Sequence, residues 1–156
     1  GPVYMRLGRY PTPPVCGEGY RYQIGKAVQL RAGRDIAIIA CGIMVAKALE
    51  AANFLAAKGL EASVINMSTI KPLDREMVER AGQEARLVVA AEEHNIIGAL
   101  GSAIAEVLAE ANLAPLLRIG VRDEFGQSGM ADELLDAYGL TGAKMAKQIA
   151  NAWHGR

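Results

Sequence analysis

The 156-residue chain is 51% hydrophobic and balances 17 basic against 17 acidic residues, for a formal net charge of +0. That size suits one domain able to bury roughly two-thirds of its unfolded surface; the composition excludes a disordered chain, and the charge balance excludes a strong field for nucleic acid or anionic lipid. No apolar run reaches the roughly 20 residues that span a bilayer, and only Cys16 and Cys41 are present, far apart and outside metal-ligand spacing, which predicts a reduced, cytoplasmic setting.

Residues 1–33 carry four of the six prolines and the basic residues Arg6, Arg9, Arg21 and Lys26. They read as a short opening strand, an irregular linker through Pro11–Gly19 and an approach strand near Ile24–Leu30. The opening strand reads as a cut inside a longer protein. From Asp35 the pattern becomes regular. Ile36–Ala40 is a continuous apolar run, as expected of a strand buried on both faces. Cys41-Gly42 turns the chain, and Val45, Ala48, Leu49, Ala52 and Leu55 follow helical spacing up to Gly59. Glu61–Met67 predicts a second strand. Asp74 is placed to cap a helix reaching Gln83, with Glu76 in its first turn. Arg86–Ala91 is a third strand, followed by a loop Glu92–Ile97 and a helix Gly98–Ala111. Leu116–Val121 is a fourth strand, and two short helices follow with Ser128 and Thr141 as N-caps.

Strand and helix alternate, which predicts an α/β fold with helices on both faces of a mostly parallel sheet. Function in such sheets gathers at the carboxyl ends of the strands. Those ends carry Cys41-Gly42, Ser68–Lys71, Glu92–Asn95 and Arg122–Gly129.

Glu92, Glu93, His94 and Asn95 precede Gly98, Gly101 and Ser102. Neighbouring carboxylates and a histidine could do acid–base work; the same residues could instead cap and orient the helix or meet a partner chain. The glycine pair is not the dinucleotide fingerprint. Asp123–Gly129 is a polar, glycine-rich loop with one large apolar residue, Phe125. It reads as a substrate lid or as a plug that docks Phe125 on a neighbouring domain. Arg6 and Arg9 offer planar donor forks for phosphate or carboxylate, though arginines at such places are commonly solvated. Cys41 reads as a small buried hydrophobe and His154 as a solvated tail residue. No Ser/His/Asp cluster suggests a triad.

Taken in order, Tyr4-Met5-Arg6-Leu7-Gly8-Arg9, Gly25-Lys26-Ala27, Thr69-Ile70-Lys71-Pro72-Leu73-Asp74, Glu92-Glu93-His94 with Gly98 and Gly101, and Phe125-Gly126 with Ser128-Gly129 resemble the C-terminal part of transketolase across nearly the whole chain. The resemblance implies a three-layer α/β/α domain over residues 34–156. It implies that residues 1–33 are the end of a preceding pyrimidine-binding domain plus linker. It implies a homodimeric enzyme that moves a two-carbon ketol unit from a ketose phosphate to an aldose phosphate. Thiamine diphosphate and Mg2+ would be bound by domains absent from this chain, which therefore should not turn over alone. One ligand role carries over: Arg9 falls on the arginine that grips the sugar phosphate, whereas Arg6 and His94 receive none. 1-Deoxyxylulose-5-phosphate synthase and the beta subunit of 2-oxoacid dehydrogenases share the layout and stay open as alternatives. A non-catalytic dimerisation or effector-binding module is the alternative of another class.

Overall fold

Ile36–Ala40 is buried along its whole length, as a central strand of a covered sheet must be. In the computed structural model, which describes residues 1–5, 8 and 11–155, it is β2 of a five-stranded sheet. The other strands are β1 (Val28–Arg31), β3 (Ala62–Asn66), β4 (Leu87–Asn95) and β5 (Leu116–Val121), and the spatial order is β1-β3-β2-β4-β5. β2 pairs in parallel with both β3 and β4, and β4 pairs in parallel with β5. β1 is antiparallel to β3. Only residues 32–35 separate β1 from β2, too few for the crossover that parallel strands require, so the chain reverses.

The pleat sorts the core into two layers. Ile36, Ile38 and Val64 face α1 (Met44–Ala56) and α5 (Gly142–His154), meeting Ala48, Leu55, Met145 and Ile149. Ala37, Ile39 and Val88 face α2 (Arg75–Glu84) and α3 (Leu100–Glu110), meeting Val78, Ala81, Ile104 and Val107. The expected three-layer α/β/α architecture with a mostly parallel sheet is present.

The remaining differences from expectation have local causes. β4 continues through Glu92, Glu93 and His94, where a loop is predicted. The Glu92 side chain is only 1% exposed because it finds donors indoors, and the Ile96 amide bonds the Val121 carbonyl, which prolongs pairing with β5. The helix after β5, α4 (Ala131–Ala137), starts at Met130 rather than Ser128; the Glu133 carboxylate accepts from the Met130 amide and takes over the cap. α5 has 13 residues and is not short. Thr141 stands at its N-cap without a side-chain cap bond, and His154 closes its last turn, where a cation suits the helix dipole. Residues 1–5 form no strand, and Val3, Tyr4 and Met5 are exposed.

The Thr69–Asp74 segment works as a stitch. The Thr69 hydroxyl accepts from the Gly25 amide (2.9 Å). Asp74 is buried; it caps α2 by accepting from Met77 N (3.2 Å) and also accepts from Ala27 N (2.8 Å). Lys26 pairs with Glu76 at 3.1 Å. Gly25 has φ +78, and a Cβ there would lie 3.0 Å from Pro72 Cγ, so this turn needs glycine.

Candidate functional site at the strand carboxyl ends

The chain leaves β2 for α1 on one face and β4 for α3 on the other, so the carboxyl ends of β2 and β4 form the topological switch point of the sheet. A crevice of about 330 Å³ opens there, lined by Gly8, Cys41, Ile43, Ile70, Glu93 and His94 among others. Beside it a cleft of about 520 Å³ has Leu134, Leu135 and Tyr138 on its wall and Glu93, Glu124 and Gln127 on its rim. Glu93 borders both.

Glu92 is committed to structure. Its two carboxylate oxygens accept from the Leu100 amide (3.0 Å) and the Gly101 amide (2.8 Å), the opening amides of α3. A negative group at a helix N-terminus also meets the dipole favourably. Gly101 makes this close approach possible: a Cβ there would sit 2.9 Å from Arg118 Cδ and 3.2 Å from Glu92 Oε1. Arg118 in turn donates to the Ile96 carbonyl at 3.0 Å and holds the end of β4. Of the two readings of the Glu-Glu-His segment, Glu92 follows the one that caps and orients the helix. Glu93 and His94 point out to solvent, with no hydrogen-bond or ion-pair partner among the described residues.

Cys41 is partly buried against the α2/α3 layer. Burial, and then the nearby Glu92 carboxylate, push its thiol up to about 11. It is therefore protonated and unreactive at neutral pH, as the small-hydrophobe reading expects. Asn95 donates to Asp123 (2.8 Å) and accepts from the Ile97 amide, and Ser102 accepts from the Gly98 amide, so these polar residues fasten loops to one another. Phe125 is 98% exposed. His154 is exposed at the far end of α5. Arg9 and Arg6 lie outside the described residues.

Sequence reasoning missed the bond from Asp74 to Ala27 and the support of β4 by Arg118. The first joins residues 47 positions apart and the second 22, and no local pattern marks either. Among the described residues, no group of three or more His, Cys, Asp or Glu could hold a metal. With both oxygens of Glu92 already engaged, these residues do not fit a metal–diphosphate centre.

Comparison with known proteins agrees with this architecture. The family described as transketolase, C-terminal domain, matches residues 25–145. A 6-deoxy-6-sulfo-D-fructose transketolase subunit from a Clostridium species is 48% identical over 154 residues, 99% of this chain and 47% of its own length. A 1-deoxy-D-xylulose-5-phosphate synthase from a Synechococcus species is 40% identical across 100% of this chain, which spans 25% of it. A solved structure described as a split gene transketolase, inactive beta4 tetramer, superposes with a TM-score of 0.89 and 44% identity over 99% of this chain and 50% of that one. The chain thus spans at most about half the length of these relatives. The chain belongs to the transketolase C-terminal domain family.

Proposed function

We propose that this chain is the C-terminal part of a transketolase, which transfers a two-carbon ketol unit from a ketose phosphate to an aldose phosphate only when joined to the N-terminal domains or subunit. The observation that carries the reading is the match, at 44% identity over 99% of this chain, to half of one chain of a split gene transketolase. The Clostridium relative is itself named a transketolase subunit, and this chain spans 47% of it, which supports reading this chain as the C-terminal part of such a subunit. Residues 1–33 then run in from the pyrimidine-binding domain, and residues 34–156 form the C-terminal domain. Thiamine diphosphate and Mg2+ belong to the domains absent from this chain.

What this chain supplies follows from its own residues. Arg9 grips the sugar phosphate through a charge-assisted, bidentate guanidinium contact, which fixes the orientation of the substrate tail. Glu92, Gly101 and Asp74 hold the strand-end face rigid. The working enzyme is a dimer of the complete unit. The test mixes this chain with the missing N-terminal domains, xylulose 5-phosphate, ribose 5-phosphate, thiamine diphosphate and magnesium. Turnover is expected from the pair and not from the chain alone; turnover by the isolated chain would sink the reading.

The 40% identity to a 1-deoxy-D-xylulose-5-phosphate synthase favours a second reading, the C-terminal domain of such a synthase. Formation of 1-deoxy-D-xylulose 5-phosphate by the reassembled pair, without ketol transfer, would select it.

A further inference from the structure

On its way to β1 the chain passes from one core layer of the sheet to the other. Val15 packs against the layer that holds α1 and α5. Ala27 is buried in the layer that holds α2 and α3. The side-chain contacts made in between lie at and just beyond the carboxyl end of β3. The Asn66 side-chain amide donates to the Cys16 sulfur at 3.8 Å, the Tyr20 hydroxyl lies 3.3 Å from that of Ser68, and the Gly25 amide donates to Thr69. Residues 15–27 are thus drawn across the end of one strand as a strap.

The two ends of the strap are held unequally. From Gly25 onward the bonds are short: 2.9 Å to the Thr69 hydroxyl and 2.8 Å from the Ala27 amide to the buried Asp74 carboxylate. A bond to a carboxylate is about twice as strong as a neutral one, and burial keeps water from competing for it. Upstream, one acceptor is a sulfur, which accepts weakly, and the Tyr20–Ser68 bond is exposed, so water offers either hydroxyl an equivalent partner. Val15, Cys16 and Tyr20 are half-buried, while residues 17–19 and 21–24 are exposed. Few buried contacts and solvent-exposed bonds mark a segment that opens at less cost than the whole fold. Gly25, at φ +78, stands where the firm end begins.

From this we infer that residues 15–24 form a releasable strap, which lifts from the end of β3 as one unit and swings on Gly25 while residues 25–27 stay bonded to Thr69 and Asp74. Docked, the strap helps to bury the Asn66 side chain. Lifted, it bares that side chain and the end of β3, next to the end of β2 where the crevice opens. The chain upstream of residue 15 thereby takes two positions relative to the sheet. The inference concerns the fold of this chain and stands apart from the transketolase reading.

The experiment is limited trypsin digestion of the full chain across a urea series, with fragments identified by mass spectrometry. The Arg21–Tyr22 bond lies in the strap and the Lys26–Ala27 bond in its firm end. The first cut after Arg21 should depend on urea much less steeply than global unfolding, whereas a first cut after Lys26 should follow global unfolding. Asn66→Cys, treated with oxidised glutathione, should form a disulfide with Cys16 and slow the Arg21 cut roughly tenfold, and dithiothreitol should restore it. Tyr20→Phe, which removes one exposed hydroxyl and spares the fold, should speed that cut roughly 2- to 5-fold. An Arg21 cut as steep in urea as global unfolding overturns the strap, because residues 15–24 then do not lift on their own. A rate unaltered by the disulfide also overturns it, because trypsin then reaches Arg21 with the strap docked. Where Asn66→Cys does not fold or does not oxidise, the wild-type urea slope and Tyr20→Phe decide: a wild-type cutting rate in Tyr20→Phe overturns the docked contact.

Discussion

Glu92 and its neighbours show how a residue that looks catalytic can be structural. Its carboxylate replaces water for two amides at the start of α3. Glu92→Ala leaves those amides buried without acceptors, and the expected cost is about 2–4 kcal/mol, read as a lower urea midpoint with an unchanged slope. Glu92→Gln, which keeps one acceptor oxygen, should lose less. Cys41 gives a pH test. Its folded thiol titrates near 11 against an ordinary 9.0. The sign follows from which state ionises first: below pH 9 both states hold the proton and the thiol's contribution is fully present, and as pH climbs toward 11 the unfolded chain ionises first and stability falls. Cys41→Ser should lose the part of the alkaline decline that belongs to this thiol. Alkylation of native Cys41 at pH 7.5, followed by peptide mass spectrometry, should run roughly 100-fold slower than that of a free thiol. For Arg9, Arg9→Ala in the reassembled enzyme should raise KM for phosphorylated sugars roughly 10- to 100-fold, the worth of one charge-assisted contact. An unchanged KM would remove Arg9 from the site.

At the scale of elements, legibility tracked how local the cause was. Ile36–Ala40 was readable end to end, because an unbroken apolar run leaves little else for the chain to do, and Leu116–Val121 was readable although Arg118 interrupts it. The extension of β4 was not readable, because Glu92-Glu93-His94 looks like loop until α3 is present to supply amides. The antiparallel β1 was half readable: its strand character shows in Val28 and Leu30, while its direction depends on pairing with β3. The Thr69–Asp74 segment carried the family resemblance in sequence, and the structure shows its hydrogen bonds joining β1's approach to α2. Asp74→Ala removes a helix cap and the acceptor of Ala27 together, for an expected loss of about 2–3 kcal/mol. Hydrogen exchange should show the Ala27 amide opening before the amides of β2 do.

For the whole molecule, the candidate site was legible as a place but not as a set of groups. The rule that function gathers at strand carboxyl ends located the crevice between β2 and β4. That Glu92 is spent on the fold, while Glu93 and His94 have no partner among the described residues, depends on contacts eight and nine residues away across a turn. The proposed division of labour predicts a particular thermal behaviour. If this chain joins the missing N-terminal domains, the complex should melt at a higher temperature than this chain alone, and the gap should widen as their concentration rises. A concentration-independent midpoint would argue that they do not associate.

The stitch between Gly25–Ala27 and Thr69–Asp74 has a mechanical consequence. Tension entering along the chain from residue 1 meets the bonds Gly25–Thr69 and Ala27–Asp74 before it reaches β1. The load is shed into the loop between β3 and α2, with the Lys26–Glu76 pair beside it. The edge strand is thereby spared from peeling, much as a clamp spares a cable its solder joint. Motion upstream of residue 25 would then turn this domain as a solid body instead of fraying its sheet. Loosening the clamp with Thr69→Ala should lower the force at which β1 detaches in a pulling experiment, while leaving the force that breaks β2 from β4 unchanged.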